Sequence, residues 1–333
     1  MQKRIRIGYS TTNPIDQCSL YRSTGPLKAM ERQYPEIEVY FIDQNQLNWG
    51  SLYNLDVLML SRPVNENFLK GAKLACVMGK PLWVDFDDDL YCVPWNNGEA
   101  YYYNKESTRK IISTIVNMAS HVTVSTPELK SINEPISRQI SVIPNAWDFE
   151  IFSYKSEQKP INKNLITWRG SPTHDPDILC VKDGIISFAK KNPNAKFKFF
   201  GAMPWMLQEI ASQIEYETVD RVQFNAVFWD HHPKLHIAPL ENNRFNRAKS
   251  NISWIEGTHA GAVTIACDLP EWDRPGIAKC EPKHFGEMLD LMFNNDDLCD
   301  DSYSLSTEYI KQNLDLKKVN HQRYDVLMGL IYG

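Results

Sequence analysis

Basic side chains and one carboxylate follow each other closely in the last third of the chain. Arg244 and Arg247 stand just before a stretch of helical periodicity, predicted over residues 249–260, that begins with Lys249 and carries Glu256. The first amide groups of a helix lack intrahelical partners, so cations beside them form a good diphosphate site. Glu256 lies two turns beyond Lys249 on roughly the same face, where a carboxylate accepts hydrogen bonds from two ribose hydroxyls. The pattern indicates a nucleotide-diphosphate site, with a solvated surface helix as the alternative.

Three consecutive aspartates follow a predicted strand in the first half of the chain. Asp87, Asp88 and Asp89 come directly after Phe86. Clustered carboxylates at a strand end are typical of a divalent-metal site. Contacts to a sugar or to an acceptor substrate, and helix capping or loop hydrogen bonds, are the other uses of such a cluster.

Composition limits the classes of function. The chain has 333 residues, of which 43% are hydrophobic and 23% charged, and a formal net charge of -5. This mild negative charge gives no global basic field, so contact with nucleic acid would need a local patch. The seven cysteines are widely spaced without a C-x-x-C pair, which disfavours a zinc site and suits reduced thiols. We expect a cytoplasmic protein without a membrane span, and the sequence lacks G-x-G-x-x-G, Walker A, H-E-x-x-H and G-x-S-x-G motifs.

Short apolar runs alternate with longer stretches of helical periodicity, as is typical of parallel α/β units. Strands are predicted at residues 4–9, 38–42, 56–60, 81–86, 121–125 and 141–143, and again at 165–168, 196–200, 222–228, 235–238 and 263–266. Helices are predicted at residues 20–32, 205–213 and 249–260, among others. The sequence therefore predicts an α/β protein with two consecutive Rossmann-like domains.

A polar stretch at residues 149–164 is the predicted linker between these domains. It leaves an N-terminal domain at 1–148 and a C-terminal domain at 165–312. The remaining residues, 313–333, are predicted to form a helix that packs back on the N-terminal domain. Two such domains are expected to face a cleft, with ligands at the carboxyl ends of the strands beside helix N-termini.

The segment around Glu256 resembles the donor-binding signature of retaining glycosyltransferases with the two-Rossmann (GT-B) architecture. That signature has two glutamates separated by seven residues, followed by a glycine turn and a β-branched strand. Glu256 matches the second glutamate, and Gly261, Ala262 and Val263 match the turn and strand. Ala248 stands in place of the first glutamate, which leaves the identity of the sugar open. The run Phe-Asn-Arg-Ala-Lys-Ser-Asn before Glu256 is similar to a branch found in phage and bacterial transferases.

The resemblance implies how the C-terminal domain holds the donor. The family places a glycine turn and a cation after the first strand of this domain, against the donor phosphates. Arg169 is the cation here, and His174 caps the same loop or is exposed. Gly201 lies where the family binds the nucleobase, and a glycine lets the backbone approach it closely. The expected donor-binding residues are Gly170, Ser171, His174, Gly201, Arg244, Ser250, Asn251 and Glu256.

The resemblance also implies that the N-terminal acceptor domain contacts the sugar and the acceptor. The three aspartates are expected to make these contacts rather than hold a metal, while two cations stabilise the leaving diphosphate. The expected catalytic residues are Asp87, Asp88, Asp89, Arg169 and Lys249. On the acceptor side, Arg22 contacts a phosphate or pairs locally, and Tyr102 stacks on a ring or packs on the core.

The predicted function is transfer of a sugar from a nucleotide-diphosphate sugar, expected to be a UDP-sugar, to an acceptor hydroxyl. We expect a monomer or weak dimer with no tightly bound cofactor, and the resemblance implies retention at the anomeric carbon. The acceptor is a hydroxymethylated pyrimidine in DNA, as in phage enzymes, or else a glycan, a lipid-linked sugar or a small molecule. The acidic balance opposes DNA. A non-catalytic nucleotide-sugar-binding protein, permitted by Ala248, and a nucleotide-sugar epimerase are the alternatives.

Overall fold

The computed structural model describes residues 4–152, 161–218 and 230–333, and the chain divides into two compact units. The first unit comprises Met1–Asp148, Ala248–Ser250 and Leu314–Gly333, and the second comprises Phe149–Arg247 and Asn251–Asn313. Residues 153–160 of the predicted linker and the strand predicted at 222–228 lie outside the described residues. Two short segments of later sequence therefore belong to the first unit.

A parallel sheet forms the centre of the first unit. Its described strands run in the order β2-β1-β3-β4-β5-β6, and every pairing between neighbours is parallel. β3 is buried along its whole length, as expected of a parallel strand covered on both faces. The strands are β1 (Ile5–Ser10), β2 (Ile37–Phe41), β3 (Val57–Ser61), β4 (Leu82–Phe86), β5 (His121–Val124) and β6 (Ile140–Val142).

Side-chain caps fix several helices of the first unit. The Asn65 side chain accepts hydrogen bonds from two amides of the helix that follows it, and Thr126 caps the helix after β5. The helix predicted at residues 20–32 is divided into two at Ser23, whose backbone is not helical. The described α-helices are Gln17–Arg22, Thr24–Gln33, Trp49–Tyr53, Glu66–Val77, Ala100–Tyr103, Glu106–Met118, Pro127–Asn133 and Leu316–Tyr332.

The helix Leu316–Tyr332 packs in the core of the first unit. Leu327 is fully buried and belongs to the same apolar cluster as Ile7 and Trp83. Backbone hydrogen bonds of 2.8 Å join Trp147 to the residues on both sides of Asp315. Apolar burial and main-chain pairing together hold the end of the chain against the N-terminal sheet.

A second parallel sheet forms the centre of the second unit. Its described strands run in the order β12-β11-β10-β7-β8-β9. Counted within this unit, that is the 3-2-1-4-5-6 order of dinucleotide-binding Rossmann folds, with the reversal between β7 and β10. The strands are β7 (Asn162–Gly170), β8 (Lys196–Gly201), β9 (Ile214–Glu217), β10 (Pro233–Ala238), β11 (Val263–Cys267) and β12 (Ala278–Cys280).

Several elements of the second unit differ from the sequence prediction. The segment Trp205–Gln213 is an irregular 3-10 helix, interrupted at Leu207 and Ile210, instead of an α-helix. β9 and β12 were not predicted, because they are short edge strands without a continuous apolar run. The described α-helices are Asp175–Leu179, Lys182–Lys191, Arg244–Arg247, Ile252–His259, Phe285–Phe293 and Asp296–Asn313.

Candidate functional site

An arginine and a glutamate meet where the strand order of the second unit reverses. Ligands of doubly wound sheets bind outside the carboxyl ends of the strands at such a point. Arg169 lies at the carboxyl end of β7, and Glu256 lies in the helix between β10 and β11. Arg169 Nη2 is 2.5 Å from Glu256 Oε2. The structure thus joins the predicted phosphate cation to the predicted ribose carboxylate.

The Arg169–Glu256 ion pair is only partly enclosed. The Glu256 side chain is 2% exposed, whereas the Arg169 side chain is 22% exposed. Arg169 Nε is buried and donates no hydrogen bond within the described part of the chain. Because buried donors are normally paired, this N–H leaves the guanidinium with capacity for a further acceptor.

A neutral histidine lies next to this ion pair. His236 is fully buried in β10, with Nδ1 3.2 Å from Thr167 Oγ1 and Nε2 2.8 Å from Ser253 Oγ. Burial and then the Arg169 charge lower the pKa of His236 to about 3. Gly257 leaves room for the ring, since a Cβ there would lie 2.9 Å from His236 Cδ2. Sequence reasoning missed His236, although a histidine inside an apolar strand was an available signal.

Asp177 connects the loop after β7 with the loop after β10. Its Oδ2 lies 2.7 Å from His174 Nδ1. Its Oδ1 accepts hydrogen bonds from the Glu241 amide at 2.8 Å and from Asn246 Nδ2 at 2.7 Å. Asp177 is buried, so these bonds fix both loops. His174, predicted to cap the loop or to be exposed, is 26% exposed and contacts Asp177 without capping the helix through its side chain.

Two of the predicted donor-binding glycines lie side by side. Gly170 ends β7 and is the register partner of Gly201 at the end of β8. Gly201 has φ +96°, and a Cβ there would lie 2.5 Å from the Gly170 carbonyl oxygen. A side chain at Gly201 is therefore excluded by backbone conformation and by space. Ser171 is exposed next to this pair, with its Oγ 2.6 Å from Thr173 Oγ1.

The helix that carries Glu256 begins later than predicted. It begins at Ile252, and Arg244–Arg247 form a short helix of their own. Lys249 lies outside both helices, so the predicted shared face of Lys249 and Glu256 is wrong. Asn251 precedes the helix, and its Nδ2 donates to the Glu271 carbonyl at 3.2 Å. Arg244 is exposed in its short helix.

Residues 248–250 separate the two helices because they pack within the first unit. Ala248 is fully buried in that unit's apolar core, and its carbonyl accepts a hydrogen bond from Thr126 Oγ1 at 2.9 Å. Ser250 Oγ accepts from Asn145 Nδ2 at 2.8 Å. Lys249 and Ser250, predicted beside the donor phosphates, thus contact residues of the first unit.

The acidic cluster of the first unit is paired with two cations. Arg62 Nε lies 3.5 Å from Asp87 Oδ1, and Arg62 Nη2 lies 3.8 Å from Asp88 Oδ2. Lys249 Nζ lies 3.1 Å from Asp88 Oδ1. Burial raises the pKa of Asp87, and the Arg62 charge opposes this rise. Asp89 is buried, and its Oδ1 accepts a hydrogen bond from the Tyr91 amide at 3.1 Å.

Arg62 is the residue of this cluster that sequence reasoning missed. It directly follows β3, and its backbone has φ +51°, a conformation that few residues other than glycine adopt. Its Nη1 also lies 2.8 Å from Cys18 Sγ. A polar residue at the carboxyl end of a buried strand was the available signal.

The two predicted acceptor-side residues both make local contacts. Arg22 is fully buried and forms a bidentate ion pair with Asp85. Its Nε donates to Asp85 Oδ1 at 2.9 Å, and its Nη2 donates to Asp85 Oδ2 at 2.7 Å. Its acceptor-side placement is therefore corrected to local pairing, because a guanidinium enclosed in this way does not reach a ligand. Tyr102 is half-buried, and its hydroxyl donates to the Val64 carbonyl at 2.8 Å. The packing alternative for Tyr102 is the one that the structure shows.

Across residues 4–152, 161–218 and 230–333, no group of three or more His, Cys, Asp or Glu side chains is arranged to hold a metal ion. Within the same ranges, no helix has the length and apolar character needed to cross a bilayer.

Solved structures with the same fold include proteins that handle sugars. A sucrose-phosphate synthase from Thermosynechococcus elongatus is 11% identical with a TM-score of 0.70, covering 98% of this chain and 99% of that one. Anabaena HepE in complex with UDP and glucose is 12% identical with a TM-score of 0.70, covering 98% and 100%. A glycosyltransferase from Rickettsia africae is 14% identical with a TM-score of 0.70, covering all of both chains.

Comparison of the sequence assigns the chain to no protein family. No protein-family model matches the chain, and no curated protein matches it either. At such low identity the structural likeness shows the fold alone. The predicted fold class, an α/β protein with two Rossmann-like domains of the GT-B type, is confirmed.

Proposed function

We propose that this chain transfers a sugar from a nucleotide-diphosphate sugar to an acceptor hydroxyl, with the donor bound by the second unit. The observation that carries the proposal is the Arg169–Glu256 ion pair at the strand-order reversal of a Rossmann-type sheet. Anabaena HepE, which shares the fold, was solved with UDP and glucose, which supports UDP-sugars as the first donors to test.

The proposed chemistry assigns a separate task to each member of the pair. The Arg169 guanidinium contacts the diphosphate and stabilises the negative charge that builds up as the glycosyl bond breaks. The Glu256 carboxylate accepts hydrogen bonds from ribose hydroxyls. Gly170 and Ser171 supply backbone amides beside the same phosphates, while Gly201 lets the nucleobase approach the end of β8.

The first unit contributes the contacts to the transferred sugar or the acceptor. Its candidates are the aspartates after β4, together with Lys249. The transfer proposed here retains the configuration at the anomeric carbon and uses no metal. Proton NMR of the first product formed distinguishes an axial from an equatorial linkage and so tests retention. Full turnover after exhaustive treatment with EDTA tests the metal-free mechanism.

Thermal unfolding with a panel of nucleotide sugars tests the donor assignment. A ligand that binds only the native state raises the melting temperature, by an amount equivalent to about 2.7 kcal/mol at a hundred times its Kd. We expect a rise with one nucleotide class, clearly reduced in Arg169→Gln and kept in Lys190→Gln, a surface control whose partner is Glu209. No rise with UDP, GDP, ADP or TDP sugars would exclude the donor site.

The acceptor is the part of the proposal that stays a sequence-based prediction. Hydroxymethylated DNA, glycans and small alcohols are offered with the donor that passes the thermal test. Transfer of radiolabelled sugar to one class identifies the acceptor. Conversion of the nucleotide sugar without any acceptor supports the epimerase alternative, whereas donor binding without product supports the non-catalytic binding protein.

A further inference from the structure

Arg62 has a backbone conformation that proteins rarely give to a large side chain. Its φ of +51° lies in the left-handed region. Arg62 also precedes Pro63, and a residue before proline normally adopts extended backbone. The amide of Arg62 donates to the Asp85 carbonyl at 2.9 Å, which fixes the turn after β3. Strained residues of this kind persist where surrounding structure imposes them and are frequent at functional sites.

The strained backbone directs the guanidinium at the acidic cluster. Arg62 is 19% exposed and donates to Cys18 Sγ at 2.8 Å. Its distances of 3.5 Å to Asp87 and 3.8 Å to Asp88 are those of ion pairs without close hydrogen bonds. Arg62 therefore provides charge to both carboxylates without a close hydrogen bond to either.

The carboxylates of the three aspartates differ in the hydrogen bonds and ion pairs that they form. Asp89 accepts an amide hydrogen bond, and Asp88 is paired closely with Lys249. Asp87 Oδ1 is buried and accepts no hydrogen bond among the described residues. The Asp87 side chain as a whole is 12% exposed, unlike that of Arg22, so a ligand hydroxyl can supply the missing donor. Of the three aspartates, Asp87 is thus the one whose carboxylate we assign to ligand binding.

We propose that Arg62 is a positioning residue that holds the Asp87 carboxylate in the orientation in which it accepts a hydrogen bond from a hydroxyl group of the sugar or acceptor. The inference rests on the proposed function, since it takes that substrate from it. The charged or titratable groups that face Asp87 are Arg62, Asp88, Arg22, Asp85 and Cys18. Among them, Arg62 is the cation that lies next to Asp87 without being committed to another carboxylate at close range.

A carboxyl ¹³C NMR titration of the full chain tests this role without any turnover. The Asp87 resonance is assigned by its loss in Asp87→Asn. Because the Arg62 charge lowers the pKa of Asp87, we expect Arg62→Gln to move its titration to higher pH and Arg62→Lys to move it less. An Asp87 titration identical in wild type and Arg62→Gln would overturn the proposal.

Stability and turnover measured together exclude a merely structural role. Arg62→Gly accepts the left-handed backbone, and the relieved strain offsets part of the stability lost with the ion pairs to Asp87 and Asp88, so its melting temperature should stay close to that of the wild type. We expect its kcat to fall on the order of a hundredfold, as for loss of a positioning contact. The donor-induced thermal shift should persist, and Arg109→Gln, on an exposed helix position, should retain full turnover.

The possible results separate this inference from the proposed function. Donor binding and normal turnover in Arg62→Gly refute the positioning role and leave the transferase proposal intact. Melting temperature and turnover that fall together assign Arg62 to folding and also refute it. If the wild type binds no nucleotide sugar, the transferase proposal fails, and the NMR titration alone then decides whether Arg62 controls Asp87.

Discussion

The two arginine–carboxylate pairs at the sheet ends contain the same chemistry in different surroundings. Arg22 donates to both Asp85 oxygens, to the Ile143 carbonyl and to the side chain of Asn145, and the pair is fully buried. Arg169 pairs with one Glu256 oxygen at 2.5 Å and keeps a buried Nε–H without an acceptor within the described residues. The two pairs thus differ in unfilled hydrogen-bonding capacity as well as in burial, and we propose that this capacity separates a ligand-binding pair from a structural one.

The largest effect that the comparison predicts is on folding of the first unit. Asp85→Asn removes the counter-charge of Arg22 and weakens the hydrogen bond that Asp85 accepts from Thr123 Oγ1. Leaving a buried guanidinium unpaired should lower the free energy of unfolding by about 3–5 kcal/mol. Urea unfolding followed by circular dichroism measures the change. A loss below about 1 kcal/mol would show that the pair is not structural.

The next effect is on ligand binding by the second unit. Arg169→Gln removes a charged donor from the proposed diphosphate site, which should weaken donor affinity by about 1.5–3 kcal/mol, or roughly ten- to a hundredfold. The double variant Arg169→Gln with Glu256→Gln avoids an uncompensated buried carboxylate and should fold close to wild-type stability. Calorimetric titration of both variants measures the affinities. Unchanged binding in either variant would remove the distinction between the two pairs.

The sequence predicted the buried strands of the fold but not the long-range side-chain contacts of the candidate site. Buried strands such as β3 and β4 were predictable because short runs made mostly of apolar residues need no tertiary information. The pairing of Arg169 with Glu256 joins residues 87 positions apart and depends on strand order, which no local pattern contains. The position of Lys249 in the first unit was unpredictable for a related reason. Residues 248–250 pack in the first unit, although their neighbours along the chain belong to the second.

The next effect, smaller when it is expressed per pH unit, is on acid stability, through the histidine beside Arg169. The pKa of His236 is about 3 in the folded chain, against about 6.5 when unfolded. Above pH 6.5 both states are neutral, and below it only the unfolded state gains the proton. Between pH 6.5 and pH 3, this site should therefore reduce stability by about 1.4 kcal/mol per pH unit. His236→Gln should show a flatter dependence between pH 6.5 and 5 in urea titrations, and an unchanged slope would contradict it.

The smallest effect is expected at a surface ion pair of the second unit. Lys190 and Glu209 lie 2.7 Å apart, with side chains 60% and 57% exposed. Solvent screens such a pair, so Lys190→Gln should change neither the urea midpoint nor donor affinity measurably. A loss of donor affinity in this variant would show that charge in general, and not the Arg169 site, attracts the ligand.

Calorimetric titration with UDP-glucose measures whether Arg169 and Glu256 hold a nucleotide-sugar donor, as we propose. We expect saturable binding to the full chain, weakened at least about tenfold in Arg169→Gln and unchanged in Lys190→Gln. Equal binding to the wild type and Arg169→Gln would contradict it, as would an absence of binding by the folded wild type to UDP-, GDP-, ADP- and TDP-sugars alike.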